Sequence, residues 1–403
     1  MPSGITPTLR YTTASASRQP LLDQLHVARK GGPLSPEAAC ELLRCTDEIL
    51  PELLAAARAV KEQFHPGVIS YSRKVFIPLT NLCRDYCGYC TYRRDPGEAG
   101  AHTMTPDEVL AVATQGEKLG CTEALFSLGD RPEAIFPEMR ATLRRLGYRS
   151  TLHYLEAMCE RVLRETKLLP HANPGLMSAN WIARLSAFNP SLGLMLESTS
   201  TQLAAAHPPD RTPDKAPSMR LRTIEDAGKL GVPFTTGILI GIGETVEDRV
   251  ESLLAIRQLH ERYGHIQEVI VQNFRSKPRI PMGAWPEPST GEMLRTIAVA
   301  RLLLREMNLQ APPNLTAPGY ERLLEAGIND WGGVSPLTPD FINPEAPWPH
   351  LLDLQRRTEA AGQRLVQRLP VYPEFIGRVV QRGGLLAARL AEATGADGYA
   401  RAA

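Results

Sequence analysis

The sequence has no run of roughly 18 or more apolar residues, so a membrane-spanning helix is not expected. Excess charge of either sign is also missing: the formal net charge is +1 over 403 residues. No global field therefore favours nucleic acid or an acidic membrane surface. The cysteines do not form an even set. The seven present (Cys40, Cys45, Cys83, Cys87, Cys90, Cys121 and Cys159) are odd in number within a long chain. That argues against a secreted disulfide scaffold and for a reduced, cytoplasmic setting. The opening has no apolar signal core and no acid before Asp23. Its Ser, Thr and Arg content faintly resembles a transit segment, but 1–20 reads as a disordered tail.

What is present is enough apolar material, 43% of residues, for a large core. Ser35, Pro36 and Glu37 make a helix start, and helical segments are expected from there to about Phe64. Short apolar runs then alternate with amphipathic stretches. Strands are expected at 75–79, 123–128, near 175–177, 193–196, 234–240, 268–272, near 309–311 and near 331–334. Thr105-Pro106-Asp107-Glu108 is a capping box ahead of an apolar stripe from Val109 to Leu119, which Gly120 ends. Ser289 to Glu292 offers another box before a helix reaching about Met307. Strands alternating with helices imply a parallel sheet with right-handed crossovers. Eight units make an α/β fold, a TIM-type (β/α)8 barrel, closed or partly open, with a helical N-terminal extension. The expected division is 1–64 tail and extension, 65–374 barrel, and 375–403 a C-terminal helical tail. The segment 207–218 (HPPDRTPDKAPS) is either a solvated linker or a mobile loop over the substrate.

Cys83, Cys87 and Cys90 stand in the run Asn81-Leu82-Cys83-Arg84-Asp85-Tyr86-Cys87-Gly88-Tyr89-Cys90. Three thiolates at this spacing can ligate three corners of a 4Fe-4S cluster, leaving one iron open. An open iron can chelate the amino and carboxylate groups of S-adenosylmethionine (SAM). The plainer alternatives are a zinc site or unrelated buried cysteines. Zinc wants four closed ligands, and no second cysteine pair is present. The triplet follows the first strand and Tyr89 precedes its last cysteine, which resembles the radical SAM signature. That resemblance implies further SAM contacts. They are Tyr89 in the cluster loop, Gly129 and Asp130 after the second strand, Glu197 and Ser198 after the fourth, and Gly241, Gly243 and Glu244 after the fifth. Asp130 stands where the superfamily usually carries Glu.

Longer runs narrow the resemblance. These are Ala124 to Glu133 (ALFSLGDRPE), Leu169 to Gly175 (LPHANPG), Gln310 to Leu315 (QAPPNL) and Ile328 to Pro349 (INDWGGVSPLTPDFINPEAPWP). Together they resemble the 7,8-didemethyl-8-hydroxy-5-deazariboflavin synthases, the CofG-type subunit of coenzyme F(420) biosynthesis. The resemblance runs from about Arg73 to about Glu374. It implies a radical SAM lyase acting on a small molecule supplied by a partner radical SAM synthase. The substrate would be 5-amino-5-(4-hydroxybenzyl)-6-(D-ribitylimino)-5,6-dihydrouracil, cyclised with loss of ammonia while SAM is consumed. A flavodoxin or ferredoxin would be the electron donor. The alternatives are the hydroxybenzyl-transferring partner, a menaquinone-pathway relative, or a non-catalytic iron–sulfur or zinc protein.

A neutral, polyhydroxylated substrate with a phenol and a uracil-like ring wants amide, carboxylate and imidazole partners with apolar walls. Candidates at strand ends are Asn173, Gln272, Asn273, Gln310, Asn314 and Asn329 for binding, and His171 and Asp330 for catalysis. Each has a plainer reading. His171 can be a turn residue, Asn273 and Asn314 can tie loop backbones, and Asp330 can cap a turn. Cys40, Cys45 and Cys121 read as structural, and Trp331 and Trp348 as packing residues.

Overall fold

The N-terminal helix signals become α1 (Arg18–Arg29), α2 (Pro36–Leu43) and α3 (Leu50–Phe64) in a computed structural model that describes residues 18–316 and 318–401. Most of 1–20 lies outside the described residues. Arg18, Gln19 and Pro20, expected in a disordered tail, instead open α1, because Leu21, Leu25 and Ala28 give that helix a buried stripe. Ser35 Oγ caps α2, accepting the Ala38 N–H at 3.2 Å.

Eight parallel strands follow: β1 (Val68–Thr80), β2 (Glu123–Leu128), β3 (Leu169–Asn173), β4 (Ser191–Gly193), β5 (Phe234–Ile240), β6 (Ile266–Asn273), β7 (Leu309–Gln310) and β8 (Asp330–Val334). They pair in sequence order, and β1 pairs with both β2 and β8, so the barrel is closed. The outer ring holds α4 (Pro106–Lys118), α5 (Pro137–Leu146), α6 (Thr151–Glu165), α7 (Ala179–Leu185), α8 (Pro217–Lys229), α9 (Val246–Tyr263) and α10 (Thr290–Leu304). Both capping boxes form as expected, at Thr105/Glu108 and Ser289/Glu292. Among the described residues, the helical elements between β7 and β8 are short 3-10 turns.

Two strands sit elsewhere than the pattern suggested. Residues 175–177 are not a strand; β3 lies just before them, where Pro170 and the following His-Ala-Asn-Pro-Gly look like a turn. The fourth strand ends at Gly193 instead of starting there. After β8 the chain forms α11 (Leu351–Ala360), β9 (Arg364–Gln367), α12 (Pro373–Val380) and α13 (Gly384–Ala393). β9 pairs with Val68–Tyr71, below the stretch of β1 that faces β2. Leu369, Val371, Phe375 and Leu390 then pack on Leu163 and Leu169, which holds residues 368–372 across the lower end of the barrel.

Candidate active site

The cysteine loop leaves the top of β1 and is fastened by backbone bonds. Arg84 N–H donates to Asp130 O at 3.1 Å, Tyr86 N–H to Arg211 O at 2.9 Å, and Gly88 N–H to Ala206 O at 2.9 Å. Cys83, Cys87 and Cys90, none in a disulfide, line one side of a cavity of about 380 Å³ that runs down the barrel. Cys83 Sγ accepts the N–H groups of Asp85 at 3.4 Å and Asp130 at 3.2 Å. Burial pushes the Cys83 thiol up to about 12, against the two backbone N–H groups it accepts. The three sulfurs do not all fall within 4.8 Å of one another. Gly129 is required here: a Cβ would sit 1.9 Å from Leu82 O and 2.7 Å from Cys83 Cβ.

Asp130 and Glu197 flank this loop. Asp130 accepts the Leu176 N–H at 3.0 Å and the Arg131 guanidinium at 3.0 Å, and Arg131 also pairs with Asp214. Burial and the nearby Asp214 carboxylate push Asp130 up to about 6, against the pull of Arg131. Glu197, in the left-handed region at φ 67, accepts from Tyr89 Oη at 2.6 Å, His207 Nε2 at 2.8 Å, Lys215 Nζ and Arg220 Nη2. Desolvation opposes its charge, but Lys215 and Arg220 hold the carboxyl well below the usual range. Lys215 also donates to Tyr89 Oη at 2.9 Å. The segment 207–218 is thus docked on the cluster loop through the half-buried His207 and Lys215 and the buried Asp214, whose N–H donates to Asp85 Oδ1 at 3.2 Å, and Lys215 lines the cavity.

Of the predicted cofactor residues, Tyr89, Gly129, Asp130 and Glu197 line the cavity. Ser198 does not; its Oγ accepts the Ser200 N–H at 3.1 Å and closes a turn. Gly241, Gly243 and Glu244 also stand outside the lining. Glu244 folds back onto the N–H groups of Gly241 and Ile242 and onto Arg249, because a buried carboxylate takes the nearest donors. Of the predicted substrate residues, Asn173, Gln272, Asn273 and Gln310 reach the cavity, as does His171. Asn314 is turned to Asp340 and Ala346 O. Asn329 ties Arg301, Asn308 and Leu309 together outside the cavity. Asp330 is the first residue of β8, not a residue at its upper end, and is fully buried against Arg368 and Ser70. Trp348 does more than pack: it stacks on Phe76 at 5.1 Å with rings 4° from parallel, and both line the cavity.

The sequence reading missed the polar interior. Lys74 Nζ donates to Glu123 Oε1 at 2.8 Å, and Arg368 Nη2 to Glu268 Oε1 at 2.7 Å. All four line the cavity. A signal was available, since Lys74, Glu123 and Glu268 are charges set beside or inside strands expected to be buried. Arg368 carried no signal at all.

Residues 77–256 match the family model described as the radical SAM superfamily. The 7,8-didemethyl-8-hydroxy-5-deazariboflavin synthase of Methanopyrus kandleri is 50% identical over 312 residues, 77% of this chain and 93% of that protein. The FO synthase of Streptomyces coelicolor is 49% identical over 363 residues, 87% of this chain but 42% of that protein. The chain therefore spans less than half the length of the FO synthases it matches. Among solved structures, the FeFe-hydrogenase maturase HydG from Carboxydothermus hydrogenoformans superposes with a TM-score of 0.70 at 19% identity, over 93% of this chain and 90% of that one. Methylornithine synthase gives 0.68 at 20% identity, over 85% of this chain and 97% of that one. These two show the same fold.

Proposed function

We propose, from the premise that this chain belongs to the radical SAM family of 7,8-didemethyl-8-hydroxy-5-deazariboflavin synthases, that it closes the middle ring of the deazaflavin in coenzyme F(420) biosynthesis. The carrying observation is 50% identity over nearly the whole of a relative with that name. The substrate is 5-amino-5-(4-hydroxybenzyl)-6-(D-ribitylimino)-5,6-dihydrouracil, which loses ammonia. A partner radical SAM synthase supplies it, in keeping with the chain's spanning less than half of each FO synthase. When bound, the 4Fe-4S cluster and SAM supply a 5′-deoxyadenosyl radical that removes one hydrogen atom from the substrate.

The chain's own residues divide the remaining work. Cys83, Cys87 and Cys90 hold the cluster, and Asp130, beside the Cys83 sulfur, suits the amino group of SAM. Phe76 and Trp348 offer a flat apolar wall for the phenol, while Asn173, Gln272 and Gln310 offer amides to the pyrimidine and ribityl groups. The test is anaerobic reconstitution with iron and sulfide, then SAM, a reductant and the partner's product. Formation of 5′-deoxyadenosine and a fluorescent deazaflavin is expected, and absence of both overturns the reading. Consumption of free tyrosine with the uracil diamine would assign the partner's reaction instead.

A further inference from the structure

His171 stands midway down β3 and Ser191 opens β4, and the two are register partners across the strand pair. Both side chains are buried. His171 Nδ1 lies 2.7 Å from Ser191 Oγ, and Ser191 Oγ in turn lies within hydrogen-bond reach of the Pro370 carbonyl. A carbonyl can only accept, so the single hydroxyl proton of Ser191 goes to Pro370 O. Ser191 Oγ must then accept from His171, which places the imidazole proton on Nδ1. Nε2 keeps its lone pair. It has no hydrogen-bond partner among the described residues, while the residue itself lines the cavity. Gly193 leaves the approach open: a Cβ there would lie 3.0 Å from Nε2. Burial holds the imidazole neutral, and with Glu123 opposing it and Lys74 and Arg368 aiding it the ring is lowered to about 4. Pro370 is itself fixed, since Gln267 Nε2 donates to the same carbonyl at 3.1 Å.

We propose that Ser191 and the Pro370 carbonyl lock His171 as the Nδ1–H tautomer, so that Nε2 accepts a proton from the substrate as the ring closes. This rests on the ring-closing reading above. In the step, a substrate N–H or O–H bond breaks, its electron pair stays with the substrate, and an Nε2–H bond forms. The Nδ1–H remains donated to Ser191. Nε2 then returns the proton to the departing amine, whose carbon–nitrogen bond breaks with its electron pair going to nitrogen, so that it leaves as ammonia. No electron is gained or lost in the transfer, so no further oxidant is involved. His171 is the catalytic residue here, and Ser191 is a positioning residue acting through it.

The experiment uses the full chain with 15N-labelled histidine, reconstituted anaerobically, and compares wild type with Ser191→Ala, Ser191→Thr and His171→Asn. The wild-type signal that disappears in His171→Asn should show a protonated Nδ1 and a bare Nε2. Ser191→Ala should shift the proton toward Nε2 and lower deazaflavin formed per 5′-deoxyadenosine by about tenfold, less than the ~10²–10⁴-fold of losing the acid–base group outright because the imidazole itself remains. Ser191→Thr keeps the hydroxyl and should restore both. A protonated Nε2 in the wild type, or an unchanged product ratio in Ser191→Ala, overturns the proposal. If Ser191→Ala does not fold, the wild-type tautomer and Ser191→Thr still decide. A wild type that makes neither product would sink the functional reading alone, because the tautomer signal needs no turnover.

Discussion

Arg368 answers two carboxylates at once. Its Nε donates to Asp330 Oδ2 at 2.6 Å and its Nη2 to Glu268 Oε1 at 2.7 Å, while the guanidinium lies 4.4 Å from the centre of the Tyr372 ring. All of these groups are buried. Burial pushes Glu268 up, and Arg368 is the main group holding it down. Removing one partner of such a set leaves charge uncompensated, which costs about 3–5 kcal/mol. Arg368→Met should therefore destabilise the chain by about that amount in urea unfolding. Arg368→Lys should fall between, since an ammonium cannot reproduce the fork. A wild-type midpoint for Arg368→Met would show that the floor of the barrel carries no load. The same set explains the misreading of Asp330. Its position beside a strand was legible, but which end of the strand was not, and that end decides between a catalytic acid and a buried ion pair. His171 was found because it stands in the Leu169 to Gly175 run that carries the family resemblance, although that run reads as a turn. Ser191 was not, because serine is common and its two partners come from β3 and residue 370.

Helix starts were legible because a cap is a local device: four residues satisfy one another's backbone donors. Thr105 Oγ1 accepts the Glu108 N–H at 3.4 Å while Glu108 returns to the Thr105 N–H at 2.6 Å. Thr105→Ala should cost about 1 kcal/mol by thermal or urea unfolding and leave the deazaflavin yield per SAM unchanged. Strand limits were poorly legible because they depend on neighbours far along the chain. β1 begins at Val68, seven residues before the apolar run suggested, because β9 pairs with Val68–Tyr71. β7 is two residues long and borrows its regularity from β6 and β8. β9 itself gave no alternation to read. It matters all the same, since the segment it leads into carries Arg368, Pro370 and Tyr372. Ending the chain after Ala361 removes β9 and Arg368, the cation paired with Asp330. Such a chain should lose its near-ultraviolet circular dichroism at 25 °C, and a retained native spectrum would show that the barrel closes without its floor.

At the scale of the whole molecule, eight repeats of one unit were legible in outline because alternating strands and helices allow few arrangements. The polar interior was not, because no local rule announces which charges a closed barrel turns inward. That interior, with the histidines buried around it, governs the response to acid. His171 and His265 are held down to about 4 by burial, below an ordinary value of 6.5. His265 is wholly buried, with Nε2–H donated to Ile224 O at 2.9 Å. In the unfolded chain both take up protons below about pH 6.5, whereas the folded chain holds them neutral until about pH 4. The unfolded state therefore binds more protons across that window, and stability falls as pH falls. The two histidine protons alone correspond to about 2.7 kcal/mol per pH unit. Below about pH 6, Asp130, raised to about 6, and Glu268, also raised by burial, subtract from that slope because the folded state protonates them first. His65 and His260, nearer solvent and also lowered by burial, add to this slope. Glu123 acts later: Lys74 and its neighbours hold its carboxyl below the ordinary range despite burial, so its contribution is lost only as pH drops beneath about 4.5. A net charge of +1 supplies little self-repulsion at neutral pH, so the histidines lead. Urea unfolding from pH 7.5 to 5 should show the free energy level above pH 7 and declining below it, with His265→Gln removing about one proton from the slope. An unchanged slope in that variant would place the acid sensitivity elsewhere in the molecule.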